Sequence, residues 1–158
     1  MDEFIFKEEG YKIVGCFYAV YNALGPGFLE AVYQEALERE FIKNNIPYVR
    51  EKKIEVFYGD EKLKKYYRAD FICYDKIVIE LKAQKFISEA DFNQTKNLLV
   101  STKHTLGYLV NFGAPKIFFK RIINTYNITD NHNNNTDNIR KKLVHLQTQI
   151  CVICDKSA

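Results

Sequence analysis

One short run limits the folds open to this chain more than any other feature. Over residues 77–83, "IVIELKA", the odd positions Ile77, Ile79 and Leu81 are apolar, while the even positions pass from Val78 to Glu80 and Lys82. Side chains alternate across a strand, so the odd residues define one packed face and Glu80 and Lys82 share the other. A β-branched run of this kind belongs inside a sheet. The fold must therefore cover the odd face and still provide partners for two opposite charges on the even face.

The preceding run, "YRADFICYDK", supplies a second misplaced charge, Asp70, between Ala69 and Phe71. The two runs predict a hairpin with two possible registers. A two-residue turn at Asp75-Lys76 sets Phe71 opposite Glu80. A three-residue loop, Tyr74-Asp75-Lys76, makes paired positions sum to 150, with Asp70 opposite Glu80 and Arg68 opposite Lys82. A slip of one residue exchanges the faces, so these are different structures. The second register is expected, because in the first Asp70 and Glu80 point to opposite faces and need separate partners. Two opposed carboxylates repel by ~0.2–1 kcal/mol as a cross-strand pair, and by more if buried. Lys82 can compensate them, and so can a divalent cation, since Mg²⁺ and Mn²⁺ favour hard oxygen ligands. From the hairpin alone, a metal site and a structural ion-pair network are both open.

The rest of the chain supplies the cover. Ile13, Phe17, Val20, Tyr21 and Leu24 fall at helical spacing over residues 11–24, and "GPG" at 25–27 ends that helix. A second helix is predicted from Phe28 to about Lys43, with an apolar stripe of Leu29, Val32, Tyr33, Ala36 and Leu37. Three strand-like runs follow in "VREKKIEVFYGDEKLKKYYRADFICYDKIVIELKA", split by "GDEK" and "YDK", and predict an antiparallel meander. Ser88, with Asp91 three residues on, opens another helix running to about Thr102. "TLGYLVNFG" and "KIFFKRI" predict two more strands. The order α-α-β-β-β-α-β-β is a mixed α/β class with helices against a sheet.

The 158 residues are enough for one domain with a sizeable core, and 47% hydrophobic with 27% charged residues is an ordinary globular balance. A formal net charge of +3 is too small to declare a nucleic-acid partner and does not exclude one. The acidic start "MDEFIFKEEG" lacks the apolar run of a signal peptide, and no window approaches a membrane span. Cys16 and Cys73 sit in apolar patterns and are expected to be small buried side chains in a reducing, cytoplasmic setting. The domain is expected over residues 1–123. "NTYNITDNHNNNTDN" (124–138), with seven Asn, is expected to be a disordered linker, and 139–158 a short tail of undecided structure. Cys151 and Cys154 make a single CxxC with His145 nearby, short of the usual four zinc ligands. His104, at the start of a strand, is expected at the surface.

Two helical residues add to the polar set. Glu30 follows the glycine turn, at the edge of its helix's apolar stripe. Gln94 shares a face with Ala90 and Leu98. Each alone suits a solvated flank, but Glu30, Asp70, Glu80, Lys82 and Gln94 together aim five polar side chains at one side of a small domain.

At this point a resemblance appears. Asp70-x9-Glu80-Leu81-Lys82 resembles the active-site signature of the PD-(D/E)XK nuclease superfamily. "GFLEAVY", with Gly27, Glu30 and Tyr33, resembles the pattern of the GxxExxY proteins placed in that superfamily. The resemblance covers roughly residues 8–123. It implies a restriction-endonuclease-like core, a central mixed sheet with an antiparallel meander flanked by helices, and metal-dependent hydrolysis of phosphodiester bonds in nucleic acid, DNA ahead of RNA. It implies Mg²⁺ or Mn²⁺ held by Asp70, Glu80, the Leu81 backbone carbonyl and Glu30. Lys82 is implied to position or activate water and Gln94 to match the glutamine of the following helix, so the implied catalytic set is Glu30, Asp70, Glu80, Lys82 and Gln94. Two positions depart: Leu98 stands where related exonucleases often carry Tyr, and Tyr21 where many relatives carry His.

Basic residues around the hairpin, Arg68, Lys65 and Lys85 foremost, form a candidate phosphate-binding rim, although lysines on an edge strand also serve to discourage aggregation. A binding module of the same fold with little activity is the alternative reading. No membrane partner is expected, and the sequence leaves oligomeric state open, a homodimer included.

Overall fold

The computed structural model of the protein describes residues 5–125. They belong to a compact unit that ends at Thr125. The expected tail, with His145, Cys151 and Cys154, and all of the expected linker after Thr125 lie outside the described residues. Asn124, the first residue of that expected linker, is buried, and its N–H donates to Thr105 O at 2.7 Å beside the last strand.

Helices α1 (Lys7–Leu24) and α2 (Glu30–Lys43) come first. Strands β1 (Tyr48–Tyr58), β2 (Glu61–Cys73) and β3 (Ile77–Lys82) follow, then helix α3 (Glu89–Thr102) and strands β4 (Leu106–Asn111) and β5 (Phe118–Ile123). This is the predicted order. The five strands form one mixed sheet in sequence order, with β3 and β4 parallel and every other pair antiparallel. A parallel pair needs a long crossover, which α3 provides.

Local chemistry sets the boundaries. Gly25 (φ 66°) and Gly27 (φ 109°) take positive φ around Pro26, a path open to glycine, and turn α1 into α2. Ser88 caps α3 reciprocally with Asp91. Tyr74 (φ 56°) and Asp75 (φ 54°) adopt left-handed backbone in the β2–β3 connection. The strands then pair Phe71↔Ile79, Ile72↔Val78 and Cys73↔Ile77, the register of the three-residue loop.

The sheet separates two cores. Ile13 and Phe17 of α1 and Tyr33, Leu37 and Phe41 of α2 pack on Phe71, Ile77, Ile79 and Leu81. On the other face, Leu98 and Leu99 of α3 pack on Ile54, Ile72, Val78 and Leu109. Cys16 and Cys73 are buried free thiols. The expected α2 stripe needs correction. Leu29 precedes the helix and is exposed, Val32 is exposed, and Phe41 joins the buried face instead. Helical period identified the stripe's direction, but the packing of α2 on β2 and β3 decided its edges. Among the described residues, no helix is long and apolar enough to cross a membrane.

Candidate active site

The site lies where β2 and β3 stop pairing. β2 and β3 pair only as far as Phe71↔Ile79, one step short of the expected Asp70–Glu80 pair, and the Leu81 N–H donates instead to a side chain, Asp70 Oδ2, at 2.7 Å. Asp70 Oδ1 accepts from Gln34 Nε2 at 3.3 Å, so both carboxylate oxygens are held. Arg68, expected opposite Lys82, pairs across to Lys53 on β1.

On β3, Glu80 is 3% exposed. Its Oε1 accepts from Lys82 Nζ at 2.9 Å and from Gln94 Nε2 at 2.9 Å. Lys82 Nζ also donates to Gln94 Oε1 at 3.5 Å. The even face of β3 thus meets α3 through a closed set of three side chains. Glu80 Oε2 is buried with no hydrogen-bond partner. An unpartnered buried acceptor is unfavourable by about 1–3 kcal/mol, and more when charged.

The electrostatics follow from this crowding. Burial, then the neighbouring Asp70, pushes the Glu80 carboxyl up to about 7 despite the opposing pull of Lys82. Burial also pushes Asp70 up to about 6, against the Leu81 N–H and with Glu30 adding to the rise. For Lys82, burial works against the ammonium, but Glu80, Glu30 and Asp70 together outweigh it and hold the amine charged above its ordinary value. The pocket carries more negative charge than one ammonium offsets.

The carboxyl end of β3 is fixed from β4. Lys82 pairs with Asn111, and Phe112 N–H donates to Lys82 O at 2.9 Å. The buried Asn111 side chain accepts from Gln84 N–H at 3.0 Å and donates to Gln84 O at 2.8 Å. A Cβ on Gly113 would stand 2.4 Å from Gln84 N and 2.5 Å from Ala83 C, so only glycine allows this approach. Open α/β sheets bind ligands at such carboxyl ends of parallel strands.

Tyr33 explains the turn that precedes Glu30. Its hydroxyl donates to Gly25 O at 2.6 Å and accepts from Phe28 N–H at 3.2 Å, and its ring stacks on Phe112 at 4.9 Å. The start of α2 is thereby fastened to the end of β4.

Glu80, Lys82 and Gln94 are joined by hydrogen bonds, and Asp70, held by the Leu81 N–H and Gln34, acts on them through its charge. Glu30, the first residue of α2, is exposed and reaches the group through its charge rather than by contact. Among the described residues, no three His, Cys, Asp or Glu side chains form a ready-made metal-holding cluster. Arg68 is exposed, 3.8 Å from Glu51. Lys65 is exposed on β2, and Lys85 lies over the exposed Phe86 ring at 5.6 Å. His104 is half-buried between α3 and β4. Sequence reasoning missed Gln34, Arg50 and Asn111. Gln34 carried a signal, since it lies one turn beyond Glu30 on the same helix face. Arg50 and Asn111 carried none, because their partners are distant in sequence.

Compared with curated proteins, the sequence finds no match. A solved structure titled "Crystal structure of SSO0001" is similar at 22% identity and a TM-score of 0.48, over 63% of this chain and 55% of that one. This chain therefore spans little more than half the length of that protein. The family profile described as the PD-(D/E)XK nuclease superfamily matches residues 7–122. With the mixed sheet and the Asp70–Glu80–Lys82 grouping already in place, the chain belongs to the PD-(D/E)XK nuclease superfamily.

Proposed function

We propose that this protein is a divalent-metal-dependent nuclease that hydrolyses phosphodiester bonds, with DNA ahead of RNA as substrate. One observation carries the reading: the half-buried Asp70 acts through its charge on the buried Glu80, which pairs with Lys82, and Glu80 Oε2 has no hydrogen-bond partner. A structural ion pair has no use for a second carboxylate beside it or for an unfilled buried acceptor. A hard cation does, so the donor set fits Mg²⁺ or Mn²⁺. Asp70 and Glu80 would hold the ion, with the Leu81 carbonyl and Glu30 completing its surroundings. Such an ion polarises a phosphoryl oxygen and lowers the pKa of water.

The chain's own groups act around that centre. Lys82 keeps its proton and presents positive charge where negative charge develops at phosphorus. Gln94 fixes Glu80 and reaches the ammonium of Lys82, so both are oriented from α3. Arg68, Lys65 and Lys85 contribute the phosphate-binding rim. Gly27, Glu30 and Tyr33 support placement with the GxxExxY proteins: the tyrosine fastens the turn and the glutamate begins the helix. The catalytic unit is read as residues 1–123, acting in the cytoplasm.

Cleavage assays test this reading on single- and double-stranded DNA and RNA, with Mg²⁺, Mn²⁺ or chelator, beside Glu80→Ala and Lys82→Ala. The wild type should cut only with metal, and each variant should lose about 10²–10³-fold in rate. Binding without cleavage under every condition would leave a nucleic-acid-binding module of the same fold. Absence of both cleavage and metal binding would sink the enzyme reading.

A further inference from the structure

The Asp70 carboxylate is held on two sides, and one of those holds belongs to a longer chain of side chains. Gln34, 8% exposed on α2, donates from Nε2 to Asp70 Oδ1 at 3.3 Å and accepts at Oε1 from Arg50 Nη2 at 3.0 Å. Arg50, on β1, is also paired through Nη1 with Glu38 Oε2, and Glu38 Oε1 accepts from the Tyr48 hydroxyl at 3.0 Å. An amide side chain has one accepting and one donating end, and a guanidinium can only donate. Arg50 therefore fixes which way Gln34 faces: the amide oxygen must turn to Arg50, and the NH₂ group must turn to Asp70.

Because the Leu81 N–H already occupies Oδ2, the Gln34 NH₂ on Oδ1 sets the plane of the carboxylate. The chain also ties α2, which carries Glu30, to the strands that carry Asp70 and Arg50. We propose that Gln34, oriented by Arg50, is a positioning residue that aims the Asp70 carboxylate for cation binding. This rests on the metal-dependent reading above and adds to it a support for Asp70 that the Asp70-x9-Glu80-Leu81-Lys82 signature does not contain. Partners of this kind, behind a ligand, commonly change metal affinity by about 10–100-fold.

The test uses the full chain and Mn²⁺ alone, by calorimetry at one pH, for wild type, Gln34→Met, Arg50→Met and the double variant. Gln34→Met keeps the length and removes both hydrogen bonds. It should weaken Mn²⁺ by about 10-fold or more, with metal-free melting little changed. Arg50→Met should weaken it less, and the double variant no more than Gln34→Met, because Arg50 acts through Gln34. Arg50→Lys, which keeps the charge without the planar fork, replaces Arg50→Met if that variant does not fold. Wild-type affinity in Gln34→Met, or losses that simply add in the double variant, would overturn the inference and leave the nuclease reading standing.

A second readout separates the two ideas if the wild type binds no Mn²⁺. The side-chain amide resonances of Gln34 in the metal-free protein should be protected from exchange and released by the Arg50 substitution. Solvent-like exchange of that amide in the wild type overturns the inference on its own.

Discussion

The two faces of β3 are built from one six-residue strand and do opposite things. The odd face, Ile77, Ile79 and Leu81, is fully buried against α1 and α2 in an apolar cluster rich in aromatic rings. The even face begins in the same way, with Val78 among Leu98, Leu99 and Leu109, and then becomes polar at Glu80 and Lys82 beneath Gln94. Burial is nearly as complete on the even face, but satisfaction is not: Glu80 retains an unpartnered oxygen and a carboxylate neighbour. Apolar packing occupies one face and the charged groups the other, and the pleat of a single strand keeps them apart.

The sharpest way to break that contrast is to substitute adjacent residues. Leu81→Ala should destabilise the protein by about 2–5 kcal/mol in denaturant unfolding, through lost burial and the cavity left behind. Glu80→Gln at pH 8 should stay within about 1 kcal/mol of wild type while losing Mn²⁺ binding by calorimetry. If Glu80→Gln unfolds the protein as badly as Leu81→Ala, the even face is structural and the contrast fails.

The next effect is the pH dependence of the even face. Asp70 and Glu80 both take up protons more readily folded than unfolded, so the stability they contribute is present at acid pH and lost as pH rises through about 6–7. Metal-free protein should lose a few kcal/mol, about 5 at most, between pH 4.5 and pH 8 from these two groups. Added Mg²⁺ should restore stability at pH 8 and have little effect at pH 4.5. Unfolding curves that ignore both pH and Mg²⁺ would remove the electrostatic half of the comparison.

Gly113→Ala tests whether the carboxyl end of β3 depends on its support from β4. The added methyl meets backbone at Ala83 and Gln84, so a loss of about 1–3 kcal/mol is expected, with cleavage reduced beyond what stability explains. The smallest effect serves as control. Ser88→Ala removes the cap of α3 and should cost about 1 kcal/mol, leaving Mn²⁺ affinity unchanged because the cap lies away from Gln94.

Much of this was legible because it rests on local periodicity. Alternation around Ile77, Ile79 and Leu81 marked the strand and put Glu80 and Lys82 on one side. Ser88 with Asp91 marked the start of α3, and Gly25 and Gly27 the turn before α2. The register was legible too, since the three-residue loop was the expected one, although pairing stops at Phe71↔Ile79, short of the Asp70–Glu80 pair that motivated it. By itself, then, the sequence determined the order of elements and the strand whose two faces differ, and it singled out Asp70, Glu80 and Lys82 as charges out of place in apolar strands. These follow from backbone periods and turn geometry, which act over a few residues.

Only the tertiary structure decided what surrounds them. The Gln34–Arg50 link joins α2 to β1, and the Asn111 clasp joins β4 to the segment after β3, across separations that no period encodes. It also decided that Leu29 and Val32 face solvent while Phe41 does not, since a helical stripe ends where its neighbour ends. The unfilled oxygen of Glu80 is the plainest case: its lack of a partner arises from burial and crowding, which exist only once the chain has folded.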